Sequence, residues 1–214
     1  MVTGAGAGIG RATALALAAR RWRVLACDIA RDAAEQAAAD AGDTAIAVAA
    51  DVTDDIALAS LVAQAGNSLA AVIHCAALFP RLALADTDIA AFDRVMAVNL
   101  RAAMQLTLLA PPAMREGGSL IFLTSGSGLL SAATDPFQHG FALYGASKAA
   151  LDRWTAGVAA ELAPQGIFAS TITPGARIIT AERVAEAIVR IAEDRAGTFS
   201  GQRLSAATFG EEWD

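Results

Sequence analysis

The sequence predicts an α/β fold, a single doubly wound parallel sheet with helices on both faces, spanning residues 1–214 as one unit. Three observations predict it. Near-continuous apolar runs rich in β-formers alternate without a break with longer stretches of helical periodicity, and strands that are apolar throughout belong to parallel sheets covered on both sides. A Gly-rich turn, Thr3-Gly4-Ala5-Gly6-Ala7-Gly8-Ile9-Gly10, joins the first short apolar run to the first helical one. No repeat, linker or charge block marks an internal boundary, and 214 residues suit one domain with a full core.

Taken in order, Val2 and Thr3 are all there is of a first strand, and ATALALAARR is the first helix. The turn between them lets backbone approach a pyrophosphate, while the helix N-terminus offers free N–H groups and a positive dipole end. RVLACD is the second strand. It ends in Asp28, which follows Gly10 by the roughly 20 residues expected of a carboxylate that grips an adenosine ribose. Asp28 also fits a helix N-cap before RDAAEQAAADAG, and both roles can hold at once. TAIAVAAD, DDIALASLVAQAGN and AAVIHCAA supply a strand, a helix and the fourth strand. DIAAFDRVMAVNLRAAMQLTLLAPPAM reads as one long helix that Pro111-Pro112 should end or kink. Gly117-Gly118 turn the chain into SLIFLTS. The helix ALYGASKAALDRWTAGVAAELA, the strand GIFASTIT, the helix AERVAEAIVRIAED and the strand GQRLSAAT complete the alternation.

Composition narrows the function. Apolar residues make up 55% of the chain, yet no run of about 18 apolar residues is free of polar interruption, so no membrane span is expected. The start shows no basic patch followed by an apolar run, so no secretory signal is expected. Net charge is −6, and the one basic cluster, Arg20 to Arg23, suits the exposed C-terminal end of the first helix. Nucleic acid is not an expected partner. Cys27 and Cys75 sit late in strands and read as buried reduced thiols. The compartment expected is the cytoplasm, and no metal site is expected.

The chain has one Tyr and one Lys, and they lie four residues apart, Tyr144 and Lys148, in LYGASKAAL. Chance placement would do this roughly once in two hundred tries. On a helix, positions i and i+4 share a face one turn apart. An ammonium there favours the phenolate and is expected to lower the phenol from about 10, toward the range useful for proton transfer. Alone, such a pair reads more readily as a surface Lys beside a half-buried Tyr.

Together these residues resemble the short-chain dehydrogenase/reductase family. The spacing Thr3-Gly4-x-x-x-Gly8-Ile9-Gly10 is similar to its cofactor loop, and Tyr144-x-x-x-Lys148 to its catalytic pair. Asp51-Val52 resembles its adenine-contacting pair, Asn99 its helix Asn, and Ser125 its catalytic Ser. Ala76 falls in the segment after the fourth strand that faces the cofactor, and Pro174-Gly175 resembles the nicotinamide-side turn. The resemblance runs from Met1 to about Leu204. It implies a Rossmann-like fold and hydride transfer between a nicotinamide and a secondary alcohol or ketone. Tyr144 would be the acid or base, and Ser125 would bond the substrate oxygen, with Thr124 and Ser127 as neighbouring hydroxyls that could be confused with it. Lys148 would favour the phenolate and hold the nicotinamide ribose. Asn99 would position a water linking Lys148 to solvent.

Asp28 favours NAD over NADP, because a carboxylate repels a 2′-phosphate; Arg11 and Arg31 are the contrary features. The resemblance also implies a homodimer or homotetramer, paired through the helices carrying Asn99 and Tyr144-Lys148. On the latter, Ala149, Ala150, Ala156 and Ala160 with Leu151 and Trp154 suit close packing. A cofactor-binding relative without useful turnover is the competing function.

Four features depart from the family pattern. The first strand is short. His74-Cys75-Ala76-Ala77 stands where the family has Asn-Asn-Ala-Gly, and His74 reads as a core or hydrogen-bonded residue. Extra residues between Ser125 and Tyr144, within SAATDPFQHGFA, should form a loop at the substrate mouth. The family's lid after Pro174-Gly175 is absent, so the pocket should be open, and the sequence names no substrate.

Overall fold

Seven parallel strands among the described residues form one sheet: β1 (Val2–Thr3), β2 (Val24–Asp28), β3 (Ala45–Ala49), β4 (Ala71–His74), β5 (Gly118–Leu123), β6 (Ile167–Thr173) and β7 (Arg203–Ser205). Their order is β3-β2-β1-β4-β5-β6-β7, with every pairing parallel. The structure is a computed structural model that describes residues 1–132, 135, 138–175, 179–211 and 213. Seven α-helices connect the strands among these residues: α1 (Gly8–Ala19), α2 (Arg31–Ala41), α3 (Asp55–Gln64), α4 (Ile89–Met96), α5 (Ala102–Leu109), α6 (Ala142–Leu162) and α7 (Ala181–Ala192). No helix among the described residues is long and apolar enough to cross a membrane.

The sheet carries a core on each face because alternate strand residues point to opposite sides. In β5, Ile121 packs with Leu17 of α1 and Val184 and Ile188 of α7. Its neighbours Leu120 and Phe122 pack on the other face with Leu58 and Leu61 of α3, Leu106 of α5 and Leu151 of α6. Leu17, Leu106, Leu120 and Phe122 are fully buried, and such side chains stabilise by about 1.5–3 kcal/mol each. This is the doubly wound sheet that the strand and helix alternation predicts. The strand order reverses between β1 and β4, so a crevice opens at their C-terminal ends, where ligands of open α/β sheets bind.

Three elements refine the sequence reading. The long fourth helix is two α-helices joined by a π-helical turn, Ala97–Arg101, with Asn99 at its centre; such single π turns mark functional positions. The helix then ends at Leu109, and Pro111–Ala113 form a 3₁₀ turn. The first strand is as short as the sequence suggests. Val2 pairs with Ala26 and Ile73, so β2 and β4 extend past it at their N-terminal ends. A groove of about 670 Å³ lies there, lined by Met1, Arg23, Val24, Leu25 and Ala71.

The helix face proposed for subunit pairing is partly spent within the chain. Leu151 is fully buried in the chain's own core, and Trp154 donates from Nε1 to Thr107 Oγ1 of α5 at 3.3 Å. Leu151 is therefore not free to meet a partner, whereas Trp154 is tied to α5 but only half-buried. The two cysteines are free, Cys27 buried and Cys75 half-buried.

Candidate active site

The Gly-rich turn is built by close approach. Gly4 has φ +67°, and a Cβ on it would lie 2.7 Å from the Ala76 nitrogen at the end of β4. A Cβ on Gly10 would lie 2.0 Å from the Gly4 carbonyl oxygen, so the first turn of α1 packs directly on the loop backbone. The helix begins at Gly8 without a side-chain cap. That leaves the N–H groups of its first turn, normally satisfied by a capping side chain, for an anion. In contrast, α3 and α4 are capped by Asp54 and Asp88.

Asp28 braces this loop from the end of β2. Its Oδ2 accepts from the Gly6 N–H at 2.9 Å and its Oδ1 from the Ala30 N–H at 3.0 Å. The carboxylate thus fixes the loop and the start of α2 together, although the formal N-cap is Ala30. A cleft of about 410 Å³ opens beside it. Gly4, Gly8, Asp28, Asp51, Val52 and Ala76 line this cleft, as do Val98, Leu78 and Phe79, which the sequence did not single out. Asp51 is held by the N–H and hydroxyl of Thr53, both at 2.8 Å.

The remaining sequence-predicted cofactor residues lie off the cleft. Thr3 is buried, and its hydroxyl meets His74 Nδ1 at 2.7 Å. Ile9 packs against the core. Pro174-Gly175 leave the C-terminal end of β6, where Gly175 has φ +96° and a Cβ would lie 2.6 Å from Ala207 Cβ.

On the other side of the crevice, α6 carries Tyr144 and Lys148. The Ser125 hydroxyl acts on the Tyr144 phenol, favouring its ionised form. The Lys148 ammonium lies 5.8 Å from the centre of the Tyr144 ring and donates to the Leu123 carbonyl at 2.8 Å. Lys148 is 1% exposed, and burial brings it down to about 8. Of the three hydroxyls at the end of β5, only Ser125 meets Tyr144. Thr124 is buried, its hydroxyl 3.5 Å from the Lys148 carbonyl, and Ser127 donates its N–H to Ser125 Oγ at 3.2 Å.

One expectation is corrected here. Burial raises the Tyr144 phenol, and the Ser125 hydroxyl opposes it. The lowered phenol expected from Lys148 is therefore not found in the cofactor-free chain: desolvation dominates. The Asn99 side chain has a structural engagement of its own. Its Oδ1 accepts from the Leu78 N–H at 2.8 Å, and its Nδ2 donates to the Leu78 carbonyl and to Ser147 Oγ at 2.7 and 3.0 Å. Both amide N–H groups are thus spent inside the protein. Asn99 ties the segment after β4 to α6, and Ser147 passes the link on by donating to the Tyr144 carbonyl at 2.7 Å. Ser147 was legible only as the third residue after Tyr144.

His74 is a buried neutral imidazole. Its Nε2 lies 3.2 Å from the Val98 carbonyl, which can only accept, so Nδ1 accepts from Thr3. Burial holds it down to about 4. Its folded-state value lies below its unfolded value, so its stabilisation is full above about 6.5 and is lost as pH falls through about 4. This one group is expected to remove on the order of 3 kcal/mol of stability on the acid side of that window. Denaturant titrations across it should show a smaller loss in His74→Asn than in the wild type; equal slopes would contradict the assignment.

The mouth of the site is aromatic. The rings of Phe79 and Phe141 lie 6.4 and 6.1 Å from that of Tyr144. Arg81 stacks on Phe141 at 5.5 Å and donates to the His139 carbonyl at 2.9 Å. The end of the extra segment thus sits at the mouth, as expected; Pro136 and Phe137 lie outside the described residues. Between β6 and α7 only residues 174–180 intervene, with 176–178 outside the described residues.

A family profile described as short chain dehydrogenase matches residues 1–186. The chain belongs to the short-chain dehydrogenase/reductase family. It is 32% identical to a sorbitol dehydrogenase of Cereibacter sphaeroides, covering 82% of this chain and 68% of that one. It is 30% identical to a cis-4-hydroxycyclohexanecarboxylate dehydrogenase of Sinomonas cyclohexanicum, covering 96% and 93%. A solved short chain dehydrogenase/reductase family protein superposes with a TM-score of 0.85 at 30% identity, over 95% of this chain and 93% of that one. As a short-chain dehydrogenase/reductase, the chain is an oxidoreductase of a family that uses nicotinamide cofactors.

Proposed function

We propose that this short-chain dehydrogenase/reductase is an NAD-dependent oxidoreductase acting on a secondary alcohol or ketone. The observation that carries the reading is the Ser125–Tyr144 hydroxyl pair, with Lys148 buried over the Tyr144 ring, beside the cleft at the C-terminal edge of the sheet. The residues fit a dinucleotide. The uncapped first turn of α1 and the Gly4–Gly10 backbone suit a pyrophosphate, and the Asp28 carboxylate suits the hydroxyls of a ribose. A bound nicotinamide supplies or accepts the hydride.

The chain's own residues handle the proton and the charge. Tyr144 gives its phenolic proton to a ketone oxygen in reduction and takes the proton from an alcohol in oxidation. Ser125 donates to the same oxygen as negative charge develops there. Lys148 stabilises the phenolate that remains and, with N–H capacity beyond its Leu123 bond, would hold a ribose hydroxyl of the bound cofactor. The aromatic mouth favours an apolar substrate body.

NAD is favoured over NADP because both arginines that could meet a 2′-phosphate already have carboxylate partners. Arg11 pairs with Asp40, and Arg31 lies 3.8 Å from Glu35, while Asp28 faces the cleft. Calorimetric titration should show NAD binding at least about tenfold tighter than NADP. Equal or tighter NADP binding would overturn the preference and point to Arg11 or Arg31. The short connection from β6 to α7 favours a second reading, a cofactor-binding relative with weak turnover. A panel of alcohols and ketones, followed by absorbance of the reduced nicotinamide, separates the two readings.

A further inference from the structure

Behind the site, Arg203 and Asp152 form an ion pair with no role in the chemistry given above. Arg203, on β7, donates from Nη2 to the Ser125 carbonyl at 3.0 Å and from Nε to Asp152 Oδ2 at 3.1 Å. Lys148 donates to the Leu123 carbonyl at 2.8 Å. Leu123 and Ser125 are two residues apart, and extended residues so spaced face the same side. Two cations therefore hold alternate carbonyls of the segment that presents the Ser125 hydroxyl.

Asp152 pairs with the second of these cations and shares a helix face with the first. It lies one turn beyond Lys148 on α6, its side chain is 17% exposed, and its Oδ1 is buried without a hydrogen-bond partner among the described residues. The groups that face Lys148 are Tyr144 and Asp152 from α6, His74 at the end of β4 and Cys75 just after it, with Arg203 of β7 reaching it through Asp152. Burial pushes the Cys75 thiol up to about 12 and holds His74 down to about 4, so both are neutral at pH 7. Tyr144 is neutral there as well, since burial raises it. Asp152 is then the counter-charge left to a lysine that burial pushes toward its neutral form.

We propose that Arg203 and Asp152 are a positioning pair: Arg203 fixes the Ser125 backbone so that its hydroxyl meets Tyr144, and Asp152 keeps the buried Lys148 charged. The proposal rests on the oxidoreductase reading for its catalytic consequence, but its electrostatic half can be tested without cofactor.

Because Lys148 is the only lysine, protein labelled with ¹³Cε-lysine gives one side-chain signal to titrate by NMR. In the cofactor-free protein, Asp152→Asn should move the Lys148 midpoint down by about one pH unit, and Asp152→Glu should restore it. Arg203→Met should lower kcat/KM for a ketone by about tenfold through misplaced Ser125, while NAD affinity measured by calorimetry stays unchanged. Arg203→Lys should fall between. An unmoved Lys148 midpoint in Asp152→Asn, or wild-type kcat/KM in Arg203→Met, would overturn the proposal. Wild-type protein that takes up no NAD and reduces no ketone would overturn the functional reading instead, leaving the titration to stand alone.

Discussion

Replacing Tyr144 by Phe should lower turnover by about 10²–10⁴-fold, the contribution of a positioned proton donor. Lys148→Met should cost a comparable amount, and the double variant should be little worse than either single one, because groups that act as one unit are strongly non-additive. The geometry supports the coupling: the ammonium lies 5.8 Å from the ring centre, and the Ser125 hydroxyl favours the ionised phenol. Tyr144→Phe keeps the ring that packs against Phe79 and Phe141, so the variant should fold. The chain has one Tyr, so its ionisation can be followed by ultraviolet difference absorbance after the Trp contribution is subtracted. In the cofactor-free protein the phenol should titrate above the value of a free one, since burial dominates there. A double variant whose loss is the product of the two single losses would refute the coupled unit, and the weak-turnover reading would then gain.

The second large effect is steric and sits in the loop. Gly10→Ala places a Cβ 2.0 Å from the Gly4 carbonyl oxygen and 2.7 Å from its carbon. Neither atom can swing away as a flexible side chain would, so α1 or the loop must shift bodily. Overpacking of this kind costs about 1–3 kcal/mol or more, and the shift should abolish measurable NAD binding. Gly8→Ala is the contrast. Its Cβ meets nothing within 4 Å, but the backbone sits at φ +52°. That variant should lose only about 1–2 kcal/mol from left-handed strain and keep some affinity. Denaturant unfolding and calorimetry on both variants test the distinction; a Gly10→Ala protein that binds NAD as the wild type does would contradict the packing.

The fold was legible because it is written in local patterns. Apolar runs such as SLIFLTS and GIFASTIT, set between Ala-rich helices, require a sheet buried on both faces, and β5 and β6 are central strands. Tyr144 and Lys148 were legible because helical spacing alone puts them on one face. Ser125 could be named, but not separated from Thr124 and Ser127, until the end of β5 met α6. The π turn at Asn99 was not legible, since AVNLRAA continues a helical pattern without interruption.

What the sequence by itself determined is the alternation of strands and helices, the Gly-rich turn and the identity of the groups that carry the chemistry. These depend on residues within a few turns of one another. Tertiary structure alone decided that Asn99 is spent on Leu78 and Ser147, that Tyr144 is raised rather than lowered, and that Arg203 clamps Ser125. Each of these depends on burial or on contacts between elements tens of residues apart. Desolvation is set by everything packed around a group, and no spacing in the sequence records it.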